Sequence, residues 1–271
     1  MNFLSHPRRA RSLGYVHGMN ANLAETLETY ARGIIRGIHP IDSDQSEAVL
    51  RALNNWGWDD DLELYLPFDE TSGQSAFDLS GNGNTGTATG TTIVPGVFGK
   101  ARSFNGTSDF VAGAAPEPLE LTASAWVYPT TVSTNGGAGR IFQSYAATWS
   151  LEQGTKGDDN DQELHGHLYD GSSHFYITGD TLVLNQWTHV AITYDGTNLR
   201  LYQNATLKAT TAVAQMGYMG GLKYRVGAHA DGLVKFYFHG IIDEPRFYSR
   251  ALSADEFYLH YLAGALKLGL I

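Results

Sequence analysis

Oxygen-bearing side chains gather at three places in this chain. The first is the loop that carries Asp78, Asn82 and Asn84, with Gly81 and Gly83 between them. Calcium takes about six to eight oxygens, and carboxylates mixed with amide and backbone carbonyls supply them. Glycines let backbone carbonyls turn inward, so this loop suits a calcium ion. It also suits an Asx turn, in which Asp78 accepts nearby N–H groups and no metal is held. The second place is Asp158-Asp159-Asn160-Asp161. It lacks the alternating ligands, central glycine and distal glutamate of an EF-hand and reads as a solvated acidic loop. The third is Asp243, a carboxylate within an apolar run. A bare charge there is costly, so it needs a partner or a cation.

Catalytic chemistry is harder to find. Glycoside hydrolysis needs two carboxylates about 5 Å apart for retention, or a wider pair for inversion. Asp243 and Glu244 are consecutive, so a regular strand points them to opposite faces. Glu152 and Glu163 stand on separate segments, and no nucleophile elbow accompanies a Ser/His/Asp order. His165, His167 and His174 are scattered over β-segments, as metal ligands or as satisfied surface groups. The expectation is a protein without enzyme activity. Sugar binding asks for different groups: aromatic rings to stack on pyranose faces, with amides and carboxylates for hydroxyls. Tyr145, Trp149, Tyr169, His174 and Tyr176 lie on or beside loops mid-chain and are the candidate ligand-binding residues. Trp126 and Trp187 have apolar neighbours and are expected in the core, an option open to Trp149 as well.

The elements that must position these groups are short strands. The chain has 271 residues, 31 glycines, 12 % aromatics, no cysteine and a net charge of −10. Few charges, abundant Gly and many Thr, Tyr and Phe suit strands joined by tight turns. The negative charge argues against nucleic acid, which needs a basic face. Without cysteine no disulfide supports the core. No apolar run is long enough to cross a membrane, so no membrane insertion is expected. Arg8, Arg9 and Arg11 are followed by no apolar stretch, so no classical signal peptide is read.

Along the chain, residues 1–60 read as a tail and a helical hairpin. Leu23, Leu27, Tyr30 and Ile34 repeat at helical spacing, and Leu53 and Trp56 fall in a second helix. Strands follow at Leu62–Leu66 and, after a Gly/Asn-rich loop over 73–90, about a dozen times to Tyr248. The clearest hairpin is Trp187–Tyr194 with Leu199–Gln203, turned at Asp195-Gly196. The next turn, Asn204-Ala205, lacks the usual glycine and either strains Ala205 or takes another form. Phe236–Tyr248 reads as a long strand near the middle of a sheet, with Gly240 at a bulge or close approach and pairing loosened at Pro245. Ser253 to Glu256 makes a capping box for a helix from Ala254 to about Tyr261. The tail over 263–271 is apolar, Leu266, Leu268 and Leu270 alternating as in a strand.

Four stretches carry a family resemblance. They are Phe68-Asp69-Glu70-x-x-Gly73 running on to Asp78-x-Ser80-Gly81-Asn82-Gly83-Asn84; Phe104-Asn105-Gly106-Thr107-x-Asp109-Phe110-Val111; Trp187-x-His189-Val190-Ala191-x-Thr193-Tyr194-Asp195-Gly196; and Phe238-x-Gly240-x-Ile242-Asp243-Glu244-x-Arg246-x-Tyr248-x-Arg250-Ala251-Leu252-Ser253. In this order, over roughly residues 62–262, the chain resembles laminin-G-like domains of the concanavalin A-like lectin/glucanase superfamily. The resemblance implies an all-β, two-sheet antiparallel jelly-roll sandwich over 61–262, here preceded by a small N-terminal helical arm. It also implies a structural Ca2+ that joins the Gly-rich loop to the Ile-Asp-Glu strand, with Asp243 as the carboxylate partner of Asp78, Asn82 and Asn84.

The functional expectation combines these readings. Leu23, Leu27, Tyr30, Ile34, Leu53, Trp56, Leu268 and Leu270 are apolar residues at both ends that a sandwich would not cover, and are expected to contact an assembly. The partners are further copies or other structural proteins, with cell-surface glycans as ligand. The best single setting is a virion surface component, a capsid decoration or fibre, or another extracellular assembly. The alternative is a carbohydrate-binding module of a secreted protein, with a glycoside hydrolase or lyase third.

Overall fold

The computed structural model describes residues 60–114, 116, 118–132, 138–144, 148–154, 161–217, 223–229 and 236–270. The expected helical arm, with Leu23, Leu27, Tyr30, Ile34, Leu53 and Trp56, lies outside the described residues, as does Tyr145. The strands are β1 (Leu62–Tyr65), β2 (Ser75–Ala76), β3 (Gly86–Thr89), β4 (Thr92–Pro95), β5 (Lys100–Asn105), β6 (Phe110–Gly113), β7 (Leu121–Pro129), β8 (Gly139–Ser144), β9 (Trp149–Gln153), β10 (Glu163–Tyr169), β11 (His174–Thr181), β12 (Thr188–Tyr194), β13 (Asn198–Gln203), β14 (Thr206–Ala212), β15 (Tyr224–Val226) and β16 (His239–Tyr248). One helix, α1 (Ala254–Lys267), follows.

The strands form two antiparallel sheets. The first runs β14-β13-β12-β7-β16-β5-β4, with β1 paired to β16; the second runs β11-β10-β9-β8-β15-β6-β3-β2. Alternation builds the core between them. From the first sheet Leu121, Ala123, Ala125, Val127, Val190 and Ile192 point inward, and from the second Phe142, Trp149, Leu151, Leu164, Leu168 and Tyr224 meet them. The two-sheet sandwich expected from the sequence is therefore the fold. The segment over 73–90 is less loop-like than expected: β3 pairs with β6 and β2 with β3, which extends the second sheet.

β16 sits between β7 and β5 and also pairs with β1. Its irregularity falls at Pro245: the register slips between Asp243 and Arg246, and Glu244 takes a φ of 56°. Gly240 stays in register but is closely approached, since a Cβ there would lie 2.3 Å from the Tyr128 carbonyl oxygen. The bulge also undoes the expected opposition of Asp243 and Glu244. Asp243 Oδ2 accepts the Val97 and Phe98 N–H groups, while Glu244 Oε2 accepts from the Tyr65 hydroxyl and the Arg246 guanidinium. Both carboxylates lie on the side of the sheet that α1 covers.

The capping box at Ser253 and Glu256 is formed, and it opens a helix longer than expected. The helix continues through Gly264 to Lys267 because Gly264 seats on Trp126: a Cβ there would lie 2.3 Å from the indole. Tyr261 stacks on Trp126 at 5.9 Å and Phe257 meets Tyr202 at 4.7 Å. The outer face of the first sheet is thus sealed, with Leu259, Leu262 and Ala263 against Val97 and Phe98. The expectation of an uncovered apolar tail is corrected here. Leu268 belongs to no strand and packs against this same cluster, leaving Leu270 exposed. The stretch from Ala263 to Leu268 is bound to its own body because helical spacing, not alternation, places its apolar residues on one stripe.

Candidate functional site

The second sheet's outer face is polar and open at one edge, where the first sheet's is covered by α1 over a largely aromatic patch. Each inward residue of β9, β10 and β11 has an outward neighbour: Ser150 and Glu152 beside Trp149 and Leu151, His165 and His167 beside Leu164 and Leu168, Tyr176 and Thr178 beside Ile177. Register carries these residues into rows. Tyr176 faces His167, which faces Ser150, which faces Gln143; one step along, Thr178 faces His165, which faces Glu152, which faces Arg140. Towards β8 and β9 the polar groups are buried. Arg140 pairs with Glu152 and donates to Ser150 Oγ at 2.9 Å.

Towards the β10–β11 edge the face opens. Asp170 Oδ1 accepts the Ser172 and Ser173 N–H groups and so folds the tight turn that brings His174 back against Tyr169. Tyr169 and His174 ring centroids lie 4.8 Å apart, His167 and Tyr176 4.7 Å, His174 and Tyr176 6.4 Å. His167 Nε2 lies 2.8 Å from His174 Nδ1, so these two imidazoles share a proton and the exposed one is held in place by the buried one. Burial first, then the nearby Arg140, His174 and His229, push the His167 imidazole down to about 3. It is neutral at physiological pH, and one of its two nitrogens donates or accepts towards His174. Its Nδ1 is buried with no hydrogen-bond partner among the described residues, and so is Gln143 Oε1 in the same row. Buried polar atoms left without partners are uncommon and mark places where a water or a ligand group completes the network. Tyr176 is 57 % exposed and His174 is exposed beside it.

Of the five candidate ligand-binding residues, Tyr169, His174 and Tyr176 are brought together on this edge. Trp149 is not with them. It faces the core, stacked on Phe247 at 5.1 Å and edge-on to Phe142. Its place follows from alternation with Ser150 and Glu152, which take the outer face. From sequence, His167 and Glu152 are groups on separate β-segments outside the ligand-binding set, and Arg140, Gln143 and Ser150 carry no signal of their own. The signal for His167 is the period-two pattern of Leu164-His165-Gly166-His167-Leu168.

The calcium set implied by the resemblance does not fit as one site. Asp78 Oδ1 accepts the Tyr65 and Ser80 N–H groups, and Oδ2 accepts the Ser80 hydroxyl and the Asn84 N–H. Four donors already point at this carboxylate. Asn82 and Asn84 turn their NH2 groups to the carbonyls of Leu62 and Glu63. Asp78, Asn82 and Asn84 thus tie the loop to β1 by hydrogen bonds, the Asx-turn alternative. Asp243 has other partners, the amides of the turn at Val97 and Phe98, and retains one buried oxygen, Oδ1, without a hydrogen bond. Burial first, then the Glu244 charge, raises its carboxyl well above the usual range, so a proton satisfies it as readily as a cation would.

Comparison with known proteins agrees with this architecture. A laminin G-type family model, described as Concanavalin A-like lectin/glucanases superfamily, matches residues 104–257. No curated protein matches the chain. Among solved structures, domain 4 of AbnA, a GH43 extracellular arabinanase from Geobacillus stearothermophilus, in complex with arabinotriose, is similar with a TM-score of 0.58 and 22 % identity, over 74 % of this chain and 98 % of that one. The binding domain of botulinum neurotoxin DC in complex with rat synaptotagmin II has a TM-score of 0.59 at 15 % identity, over 76 % of this chain and 52 % of that one. The binding domain of Paraclostridial Mosquitocidal Protein 1 has 0.58 at 19 %, over 77 % and 52 %. This chain therefore spans about half of each toxin binding domain, and at these identities the likeness is one of fold. The family match covers more than half of the sequence, and the chain belongs to the concanavalin A-like lectin/glucanase superfamily.

Proposed function

We propose that this protein is a non-catalytic glycan-binding module whose ligand seats on the β10–β11 edge of the second sheet. One observation carries the reading: the exposed rings of His174 and Tyr176 and the half-buried ring of Tyr169 lie side by side, in front of a buried polar row that holds unpartnered atoms at His167 and Gln143. Rings offer apolar faces to sugar C–H groups, and the imidazole offers hydrogen bonds to hydroxyls. A similar domain in complex with arabinotriose supports a sugar ligand. No catalysis is assigned: Glu152, in the row behind these rings, is buried and committed to Arg140.

As to setting, the arm over residues 1–60 tethers the sandwich to a larger assembly, with a virion surface the expected place of display. The packing of α1 and Leu268 on their own sandwich favours a second reading, a sugar-binding module of a secreted protein, since it removes one of the two apolar ends from the assembly account. Light scattering on the full chain separates the two: a stable oligomer supports the assembly, a monomer the module. A glycan array on the full chain, followed by calorimetry with the best ligand, tests the binding itself. Tyr176→Ala is expected to weaken the affinity about tenfold, equivalent to about 1.4 kcal/mol. A chain that binds no glycan, or one whose affinity ignores Tyr176, refutes the site. The bound glycan is expected to survive incubation without release of reducing ends.

A further inference from the structure

We propose that Asp161, Glu163 and His165 form a binding site for one borderline divalent metal of the zinc class, at the start of β10. Glu163 and His165 are outward neighbours at two-residue spacing on this strand. Asp161 folds back over them: its Oδ1 accepts the Glu163 N–H at 2.8 Å, and its Oδ2 lies 3.0 Å from His165 Nε2. One ligand atom from each residue lies within 4.8 Å of the other two. Around a tetrahedral zinc, ligand atoms at about 2.0–2.2 Å from the metal stand roughly 3.4 Å apart. The exposed, flexible Glu163 side chain closes the difference by a rotamer change.

A second observation lies behind the imidazole. His165 is 4 % exposed, and its rear nitrogen, Nδ1, is 3.1 Å from Thr178 Oγ1 on β11. Metal-binding histidines generally have such an oxygen partner on the far nitrogen, which fixes the ring and its tautomer. When Nδ1–H donates to Thr178, the Nε2 lone pair and Asp161 Oδ2 face each other as two acceptors, a conflict that a cation resolves. In the opposite tautomer Nε2–H donates to Asp161 and the pair needs no metal. A mixed set of one imidazole and two carboxylates selects zinc-like ions over calcium, which is held by oxygen alone. Three protein ligands leave a fourth position open to water or a ligand hydroxyl.

The metal site stands apart from the glycan reading and is tested with no glycan present. The full chain, stripped with a chelator, is titrated with ZnCl2 by calorimetry and with CoCl2 by visible absorption. One ion per chain is expected, with a cobalt spectrum of a tetrahedral or five-coordinate site, and calcium in large excess does not displace zinc. Glu163→Gln and His165→Gln each weaken zinc about tenfold or more, Thr178→Val weakens it about tenfold, and His174→Ala leaves it unchanged. Glu163 is exposed, so its variant folds whatever befalls His165→Gln. Absence of stoichiometric zinc binding leaves the Asp161–His165 hydrogen bond as the whole story and overturns the site. Zinc binding that ignores both Glu163→Gln and His165→Gln overturns it too, and displacement by calcium overturns the metal class.

Discussion

The two outer faces of this sandwich are made from the same alternation and come to opposite ends. On the first sheet the outward residues include Trp126, His189, Ala191, Tyr202 and Tyr248, and α1 lies across them. On the second sheet they are Ser150, Glu152, His165, His167 and Tyr176, and the β10–β11 edge stays open. An apolar patch of this size must be covered, so the chain spends its C-terminal helix there. A polar outer face needs no cover and remains free to meet a ligand. As proposed, stability is concentrated on one side and recognition on the other, and substitutions test whether that division holds.

The largest effect belongs to the sealed face. Phe257 is fully buried between Tyr202 and its neighbours, and Phe257→Ala is expected to cost about 3–5 kcal/mol in chemical denaturation. A cost below 1 kcal/mol would mean that α1 contributes little to the fold.

Acid comes next and acts on both faces. Burial, reinforced by Arg246, pushes His189 down to about 3, the same level as His167. Each is neutral in the native state, while the unfolded chain takes up its proton below about 6.5. Their stabilisation is complete above that pH and is lost as pH falls towards 3, about 2 kcal/mol for each by pH 5. Asp243 acts in the opposite sense: its raised carboxyl takes a proton earlier in the native state, which adds stability as pH falls towards the ordinary aspartate value. Equilibrium unfolding against pH in His189→Gln isolates one contribution, the acid limb losing the slope of one proton. An unchanged slope would show that His189 already titrates in the native state.

A gain of about 1 kcal/mol is expected at the β13–β14 turn. Asn204 and Ala205 both have positive φ, 49° and 58°, the strained choice that the missing glycine made necessary. Ala205→Gly relieves it; no rise in stability would place the strain elsewhere. Smallest of all, Tyr176→Ala on the open face should move stability by less than about 0.5 kcal/mol. A larger loss would make Tyr176 a structural residue.

Local signals made much of the fold legible. The turn at Asp195-Gly196, the slip at Pro245, the capping box at Ser253 and the central place of β16 all follow from residue types at fixed offsets. The end of the chain did not yield, because Leu266, Leu268 and Leu270 satisfy a period of two, while Leu259, Leu262 and Leu266 satisfy a helical period. Only the contact of Gly264 with Trp126 decides between them. The site was half legible. Tyr169, His174 and Tyr176 were chosen for ring chemistry, and the turn at Asp170 does bring them together. For Trp149 the sequence leaves both the ligand set and the core open, and alternation with Ser150 and Glu152 decides for the core; for His167 it leaves a metal ligand or a satisfied group, and the same alternation turns it outward behind His174. Which outward residues meet across strands depends on register, and register is fixed by contacts far apart in the sequence.

The division between the faces is tested most directly by hydrogen exchange, read by mass spectrometry, on the full chain with and without a saturating glycan. Added protection is predicted in β10, β11 and the turn at Asp170, with α1 and the turn at Val97 unchanged. Protection on the α1 side, with none on β10 and β11, would contradict the account.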